Sequence, residues 1–150
     1  MQGANMIKLN VIWVFNESGG KVLMCKRHKE PYLGLYNLVG GKVEEGEQGL
    51  DAAYRELAEE SGIKPLHLEK GLHHLMDFVY YSSEAFPSIP GGCYLAVYVG
   101  KLTETITVEG DEKELVWMDV NSNFFDMHVF AGEGNIGHIY EQIKLRPALM

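Results

Sequence analysis

The chain has 150 residues, which favours one domain and suffices to bury a hydrophobic core without disulfides. Its net charge of −8, from 13 basic and 21 acidic residues, disfavours binding to DNA or RNA. No apolar run approaches the roughly 20 residues that cross a bilayer, and the N-terminus does not resemble a secretory signal. Cys25 and Cys93 have no metal-binding spacing. We therefore expect a soluble, cytoplasmic protein with reduced thiols and with neither a membrane nor a nucleic-acid partner.

The first half of the chain begins with two segments that predict β-strands. Residues 7–15 and 22–26 are rich in Val, Ile, Trp, Phe and Leu, and residues 16–20 between them have turn chemistry. This arrangement is typical of a β-hairpin. A third, short strand is predicted over residues 36–39, and it leads into Gly40 and Gly41.

An amphipathic helix is predicted over residues 48–61, where apolar side chains recur at helical spacing. Gly62 has the position of a left-handed C-terminal cap, whereas Gln48 is a poor N-terminal cap. The predicted buried face consists of Leu50, Ala53, Tyr54, Leu57 and Ser61.

Three further strands and a second helix are predicted in the C-terminal half. The strands cover residues 72–81, 93–102 and 114–120, and the second of them is apolar on both faces, which is typical of a central strand. Isoleucines and a tyrosine between residues 136 and 143 repeat at helical spacing. No linker or internal repeat interrupts the chain, so we expect residues 1–150 to form one mixed α/β domain.

Three glutamates share one face of the first predicted helix. At 100° per residue, Glu56, Glu59 and Glu60 fall within an arc of about 100°. A solvated helix face is the common alternative, but like charges four residues apart oppose helix formation by a few tenths of a kcal/mol. A cation among the carboxylates would remove this repulsion. Because no His or Cys joins the set, Mg²⁺ or Mn²⁺ is favoured over zinc.

The charge around these glutamates also predicts a metal. Residues 41–63 contain seven acidic and two basic residues, a local charge of −5. Such a surface repels a nucleotide phosphate chain unless cations lie between the two. Gly40 and Gly41 permit a close approach of the backbone to a phosphate or metal. Arg55, on a flank of the helix, could bind Glu47 through a bidentate pair that fixes the loop on the helix.

The segment from Gly41 to Ile63 is identified as the signature of the Nudix hydrolases, G-x5-E-x7-R-E-U-x-E-E-x-G-U with U a bulky aliphatic residue. It agrees at every defining position. The resemblance implies an α/β/α sandwich with a mixed β-sheet between helices. It also implies an enzyme that uses water and bound divalent ions to hydrolyse a phosphoric anhydride linkage. By this resemblance the catalytic residues are Arg55, Glu56, Glu59 and Glu112, the metal ligands are Gly41, Glu56, Glu59, Glu60 and Glu112, and the structural residues are Gly40, Gly41, Glu47 and Gly62.

The residues outside the signature bear on the substrate. Residues 24–27 and 35–42 resemble the region around the purine pocket of MutT-type members, which act on oxidised purine triphosphates such as 8-oxo-dGTP. Asn37 is expected to read the base edge, with a turn-satisfying asparagine as the alternative. Glu112 resembles the residue that supplies an extra acid to the metals in this family. The alternative is that it belongs to a solvated run of charged residues. The predicted substrate-binding residues are Arg27, Asn37, Lys42, Tyr80, Phe130 and Asn135.

Two residues bear on other substrates. Tyr80 lies about where dinucleoside-polyphosphate hydrolases of this family carry a tyrosine, whereas Phe78 does not match the proline associated with ADP-ribose hydrolases. The first hypothesis is therefore Mg²⁺-dependent release of a nucleoside monophosphate and pyrophosphate from a modified purine triphosphate. Hydrolysis of a dinucleoside polyphosphate, a nucleotide sugar or ADP-ribose is the alternative, and a Nudix-fold sensor that binds a nucleotide without cleaving it is another. A small-molecule nucleotide is the expected partner of a monomer or homodimer.

Overall fold

The computed structural model describes residues 6–81, 91–110 and 114–150. In this part of the chain six strands form one sheet, accompanied by two α-helices and two short 3₁₀ helices. The strands are β1 (Ile7–Phe15), β2 (Lys21–Lys26), β3 (Tyr36–Lys42), β4 (His73–Tyr80), β5 (Cys93–Lys101) and β6 (Glu114–Asp119). The helices are α1 (Gly49–Ser61) and α2 (Asn135–Lys144), and the 3₁₀ helices are Pro65–His67 and Pro147–Leu149.

The sheet has the strand order β4-β5-β1-β3-β2-β6. β1 and β5 are parallel, and the other pairs are antiparallel, so the sheet is mixed as predicted. β1 and β5 pair along their whole length, from Ile7 opposite Cys93 to Phe15 opposite Lys101. This pairing places residues from the two halves of the chain side by side at the centre of the sheet.

The predicted hairpin of β1 and β2 forms only at its turn. The two strands pair at Phe15 and Val22, and Asn16 closes the turn by accepting the backbone N–H of Lys21 at 2.9 Å. Beyond the turn, β3 lies between them, so the two strands and their turn are confirmed, but their pairing does not extend along the strands. The six residues from Asn10 to Phe15 are all buried. A strand buried on both faces is best placed in the middle of a sheet, and β1 therefore pairs with β3 and β5 along its edges.

The two helices cover opposite faces of the sheet and complete three layers. α1 packs through Ala53 and Leu57 on a core that includes Ile12 and Val14. On the other face, the isoleucines of α2 pack on a core that includes Trp13, whose ring stacks on Tyr140 at a centroid distance of 4.9 Å. The predicted α/β/α arrangement is confirmed.

The face of α1 that meets the sheet is rotated relative to the prediction. Leu50 is 43% exposed, whereas Ala52 is fully buried beside Ala53. On a helical wheel this change turns the buried arc towards Glu56 and Glu60. Those two carboxylates therefore face β3, which the predicted arc did not indicate.

The ends of α1 agree with the sequence. Gly62 adopts φ 79° and its N–H donates to the carbonyl of Ala58, which confirms the predicted left-handed cap. Gln48 provides no side-chain hydrogen bond at the start. Both cysteines are buried. None of the described helices is long and apolar enough to cross a membrane.

Candidate active site

Two backbone N–H groups near the end of β3, at Gly40 and Gly41, donate to side chains of other elements. The N–H of Gly40 donates to Oε2 of Glu60 at 3.2 Å, and the N–H of Gly41 donates to Oδ1 of Asn10 at 3.1 Å. A Cβ at Gly40 would overlap the carbonyl of Asn10, and a Cβ at Gly41 would overlap the carboxyl group of Glu56. Glycine is therefore required at both positions, because β1 and α1 approach β3 closely here.

Arg55 connects the glutamates of α1 to the loop before the helix. It donates to both carboxylate oxygens of Glu47, from Nε at 2.7 Å and from Nη2 at 2.9 Å, which is the predicted bidentate pair. Nη1 donates to Glu56 at 3.0 Å and to Glu59 at 3.3 Å, and Nη2 also reaches the carbonyl of Lys42 at 2.9 Å. We call Arg55 with Glu47, Glu56, Glu59 and Glu60 the carboxylate cluster.

The ion pair between Arg55 and Glu47 fixes the charge of both groups. The hydrogen bonds from Arg55, with a further one from the backbone of Glu44, lower the pKa of the Glu47 carboxyl to about 2. The hydrogen bond to Glu47, followed by the one to Glu56, raises the pKa of Arg55. Glu47 is consequently ionised at neutral pH and holds the loop against the helix.

The carboxylate cluster has the donor chemistry of a magnesium or manganese site. Glu56 and Glu60 lie against the backbone of Gly41 and Gly40, and the side chain of Glu56 is 14% exposed. Glu59 is 56% exposed and held by Arg55. Across residues 6–81, 91–110 and 114–150, no three acidic, His or Cys side chains already converge in a closed site. The oxygen-only donor set nevertheless fits Mg²⁺, which keeps several waters and completes its coordination with substrate phosphate.

A cavity of about 430 Å³ opens beside Gly40 and Gly41, which form part of its wall. Its other walls come from β1, β5, the segment from β2 to β3, and the start of α2. Among its lining residues are Arg27, Lys29, Tyr32, Asn37, Lys42, Tyr80, Leu95 and Asn135. The two glycines thus separate a mostly apolar cavity from the carboxylate cluster.

The family model of the NUDIX domain matches residues 6–135 of the chain. The chain belongs to this family. The match covers the whole carboxylate cluster and every residue of the cavity wall up to Asn135, while Ile136 and Ile139 of that wall lie beyond it.

Three known proteins illustrate this relationship. An ADP-ribose pyrophosphatase of Methanocaldococcus jannaschii is 43% identical over 49 residues, which span 33% of this chain and 29% of that protein. The NUDIX domain of Shewanella oneidensis NrtR, solved with ADP ribose, superposes with a TM-score of 0.71 at 20% identity over 94% of this chain and 88% of that one. A C. elegans Ap4A hydrolase in a binary complex gives 0.72 at 18% identity, over 95% and 98% of the two chains. At these identities the two structures show a shared fold.

Five of the six predicted substrate-binding residues of this Nudix protein line the cavity. Arg27 donates to the carbonyl of Pro31 at 2.6 Å, which holds it within the segment between β2 and β3. Lys42 is exposed at the end of β3. Tyr80 and Asn135 hydrogen-bond to each other, and burial raises the pKa of Tyr80 to about 12. Tyr80 is therefore a neutral hydrogen-bonding group.

Asn37 lies in the cavity wall with one end already engaged. Its Oδ1 accepts the backbone N–H of Leu38 at 2.8 Å, as in the turn-satisfying alternative. Its Nδ2 makes no hydrogen bond to any residue that the structure describes. The oxygen of Asn37 is therefore engaged by the backbone of its own strand, and its role in reading a base stays a prediction.

One predicted residue is not brought to this site. Phe130 is 3% exposed and packs against Phe124 in the core on the α2 side, where their rings lie 5.0 Å apart. Phe130 does not line the cavity, so its prediction as a substrate-binding residue is corrected; the neighbouring Ala131 contributes to the wall instead. Glu112 lies outside the described residues.

Sequence reasoning missed Asn10, Tyr32 and Glu133. Tyr32 donates to Glu133 at 2.8 Å and so connects the segment between β2 and β3 to the loop before α2. Residues 101 positions apart give no local signal of such a contact. Asn10 did give a signal, because it is a polar residue within the apolar run of β1.

Proposed function

We propose that this Nudix protein is a divalent-metal-dependent pyrophosphohydrolase that acts on a nucleotide whose diphosphate is linked to another group. The observation that carries the proposal is the junction at Gly40 and Gly41. These glycines contact the carboxylates of Glu56 and Glu60 and also form part of the wall of a cavity suited to a small molecule. A nucleoside in the cavity would therefore place its phosphate chain beside the carboxylate cluster.

The carboxylate cluster provides the ligands for the metal. Glu56, Glu60, Glu59 and the carbonyl of Gly41 would hold Mg²⁺, joined by Glu112 in the segment before β6. A bound divalent ion offsets phosphate charge, orients the chain and lowers the pKa of a coordinated water. Arg55 contacts Glu56 and Glu59 directly and so sets the positions from which these carboxylates reach the metal. Glu56, the more buried of the two, is our candidate to accept the proton of the attacking water.

The cavity provides the recognition of the nucleoside. Its volume of about 430 Å³ falls in the roughly 300–1,000 Å³ range of small-molecule sites. Nδ2 of Asn37 offers a donor to the edge of a base, and the basic side chains of Arg27 and Lys42 lie where phosphate or ribose oxygens would pass. Modified purine triphosphates, with 8-oxo-dGTP as the representative, are our first candidate substrates.

ADP-ribose is the second candidate, and two observations favour it. The relative from Methanocaldococcus jannaschii is an ADP-ribose pyrophosphatase, and the Shewanella NUDIX domain was solved with ADP ribose. The cleaved bond would be the same, since both candidates contain a diphosphate on a nucleoside. A sensor that binds without cleaving is the third reading, and the intact set of Glu56, Glu59 and Glu60 argues against it.

A product analysis in ¹⁸O-labelled water tests the proposal. The protein would be incubated with Mg²⁺ and one of four substrates: 8-oxo-dGTP, dGTP, diadenosine tetraphosphate or ADP-ribose. The products would be separated by chromatography, and their masses would be measured by mass spectrometry. We expect one substrate class to give a labelled product of anhydride cleavage, and the labelled fragment identifies the phosphorus that is attacked. Nucleotide binding without turnover of any substrate would support the sensor and reject the enzyme.

A further inference from the structure

Asn10 is a buried polar residue in a strand that is otherwise apolar at its centre. It is 2% exposed, and its Nδ2 has no hydrogen-bond partner among the described residues. A buried amide nitrogen left without a partner is costly, so native proteins usually supply it with a ligand or a bound water. A leucine at this position would avoid the cost.

The orientation of the Asn10 amide is fixed by its neighbour. Its Oδ1 accepts the N–H of Gly41 at 3.1 Å, and a flipped amide would instead point an NH₂ group at that N–H. Asn10 and Gly41 are opposite each other on β1 and β3, and residues paired in this way share a face of the sheet. A Cβ at Gly41 would meet the Glu56 carboxyl group, so Asn10 lies on the α1 face beside that carboxylate.

Asn10 contacts the second glycine as well. Its backbone carbonyl is so near Gly40 that a Cβ there would overlap it. One residue of β1 therefore limits the backbone of both glycines, through its main chain at Gly40 and its side chain at Gly41. It is also part of the cavity wall.

We propose that Asn10 is a positioning and ligand-binding residue for the diphosphate end of the site. Oδ1 holds the N–H of Gly41, and with it the peptide group between Gly40 and Gly41, so that this turn of backbone and Glu56 keep a fixed relation to the metal. Nδ2 donates a hydrogen bond to a phosphate oxygen of the bound nucleotide. The role rests on the proposed function, because it assumes that metal and phosphate meet at these glycines.

Two substitutions separate the two roles. Asn10→Asp keeps the acceptor for the Gly41 N–H and removes the donor, whereas Asn10→Leu removes both at similar volume. Trp13→Phe is the matched control, since Trp13 Nε1 is the other buried side-chain donor without a partner in the described part of the chain. Trp13 belongs to the core on the α2 face. Circular dichroism and thermal unfolding would establish that each variant is folded.

The positioning role is tested by Mn²⁺ binding to the protein alone, followed by electron paramagnetic resonance. Loss of a group that orients metal ligands typically weakens affinity by about 10–100-fold. We expect Asn10→Leu to bind Mn²⁺ about tenfold more weakly or worse, and Asn10→Asp and Trp13→Phe to bind at least about as well as the wild type. Wild-type affinity in folded Asn10→Leu would overturn this role.

The binding role is tested with a nucleotide analogue, α,β-methylene ADP, by calorimetry at saturating Mn²⁺. Both Asn10 variants should bind it at least about tenfold more weakly, since both lack the donor. If only the added charge mattered, only Asn10→Asp would bind the analogue more weakly. If Nδ2 permanently binds a water, neither variant would bind it more weakly. Either outcome overturns the assignment. Neither binding experiment requires turnover. If the wild type is inactive but shows these affinities, the proposed reaction is wrong and the role of Asn10 still holds.

Discussion

The carboxylate cluster and the cavity differ in how fully their polar groups are hydrogen-bonded. In the cluster, Arg55 alone donates to three glutamates and one carbonyl, and Glu60 accepts from a glycine N–H. In the cavity wall, the amide nitrogens of Asn10 and Asn37 have no partner in the described part of the chain. The groups proposed for catalysis are thus held in place by the protein itself, while two residues that line the cavity keep a donor without a partner among the described residues.

Metal removal should have the largest effect on activity, and this effect should arise in the carboxylate cluster. We expect chelation by EDTA to lower hydrolysis by about 1,000-fold or more, because phosphate charge and the attacking water both depend on the ion. Added Mg²⁺ or Mn²⁺ should restore it. Activity that persists in EDTA would remove the carboxylate cluster from the reaction.

Neutralising one carboxylate should have the next largest effect. We expect Glu56→Gln and Glu60→Gln each to lower kcat by about 100-fold at saturating substrate, since each removes a charged metal ligand. Glu45→Gln is the charge-matched control, because Glu45 is an exposed acid of the same −5 segment. Equal kcat in Glu56→Gln and Glu45→Gln would contradict the ligand assignment.

The same substitution made in both regions gives a direct comparison. Arg55→Lys loses the bidentate contact with Glu47 and should lower kcat by about tenfold, because an ammonium cannot reproduce the guanidinium geometry. Arg27→Lys, in the cavity wall, should raise KM with little change in kcat. Steady-state kinetics measures both, and a KM effect at Arg55 with a kcat effect at Arg27 would reverse the assigned roles.

Substitution of Asn37 should change selectivity more than rate. We expect Asn37→Ala to reduce the ratio of kcat/KM between the best base and its competitors by about tenfold, since a hydrogen-bonding donor to the base is lost. Competition assays with mixed nucleotides measure this ratio. A uniform loss on every nucleotide would mean that Asn37 acts only through its bond to Leu38.

The smallest effect concerns stability at acid pH. Since the pKa of Glu47 is lowered from 4.5 to about 2 in the folded protein, its ion pair stabilises the fold above pH 4.5. That contribution should be lost as the pH falls from 4.5 towards 2. Glu47→Gln lacks it, so the free energy of unfolding should fall less steeply over this range than in the wild type or in Glu45→Gln. Urea unfolding at several pH values measures the slopes, and parallel slopes would contradict the pKa shift.

Features set by neighbouring residues could be predicted from the sequence. Spacings of a few residues determine the helix over 48–61, its cap at Gly62 and the pair between Arg55 and Glu47. The helix begins one residue later than predicted, and the cap and the pair are confirmed. Five of the six residues that the family resemblance predicted for substrate binding line the cavity, but most of the other residues of its wall were not predicted. The metal ligands and the substrate remain predictions.

Features set by distant residues could not be predicted. The insertion of β3 between β1 and β2 depends on which strands bury both faces of β1, which no local pattern specifies. The rotation of α1 towards Glu56 and Glu60 depends on the glycines of β3, which let the helix come close. Phe130 was misplaced because an aromatic residue near a loop gives the same pattern in a core as in a pocket.

The positions of the two regions along the chain bear on how such a protein can change. The cluster lies between residues 47 and 60, whereas the cavity combines β1, residues 25–42 and residues 131–139 near the end of the chain. A substitution among residues 131–139 can thus alter the shape of the cavity without touching the carboxylates. The cavity and the carboxylates can then change separately during evolution, except at Gly40 and Gly41, which belong to both.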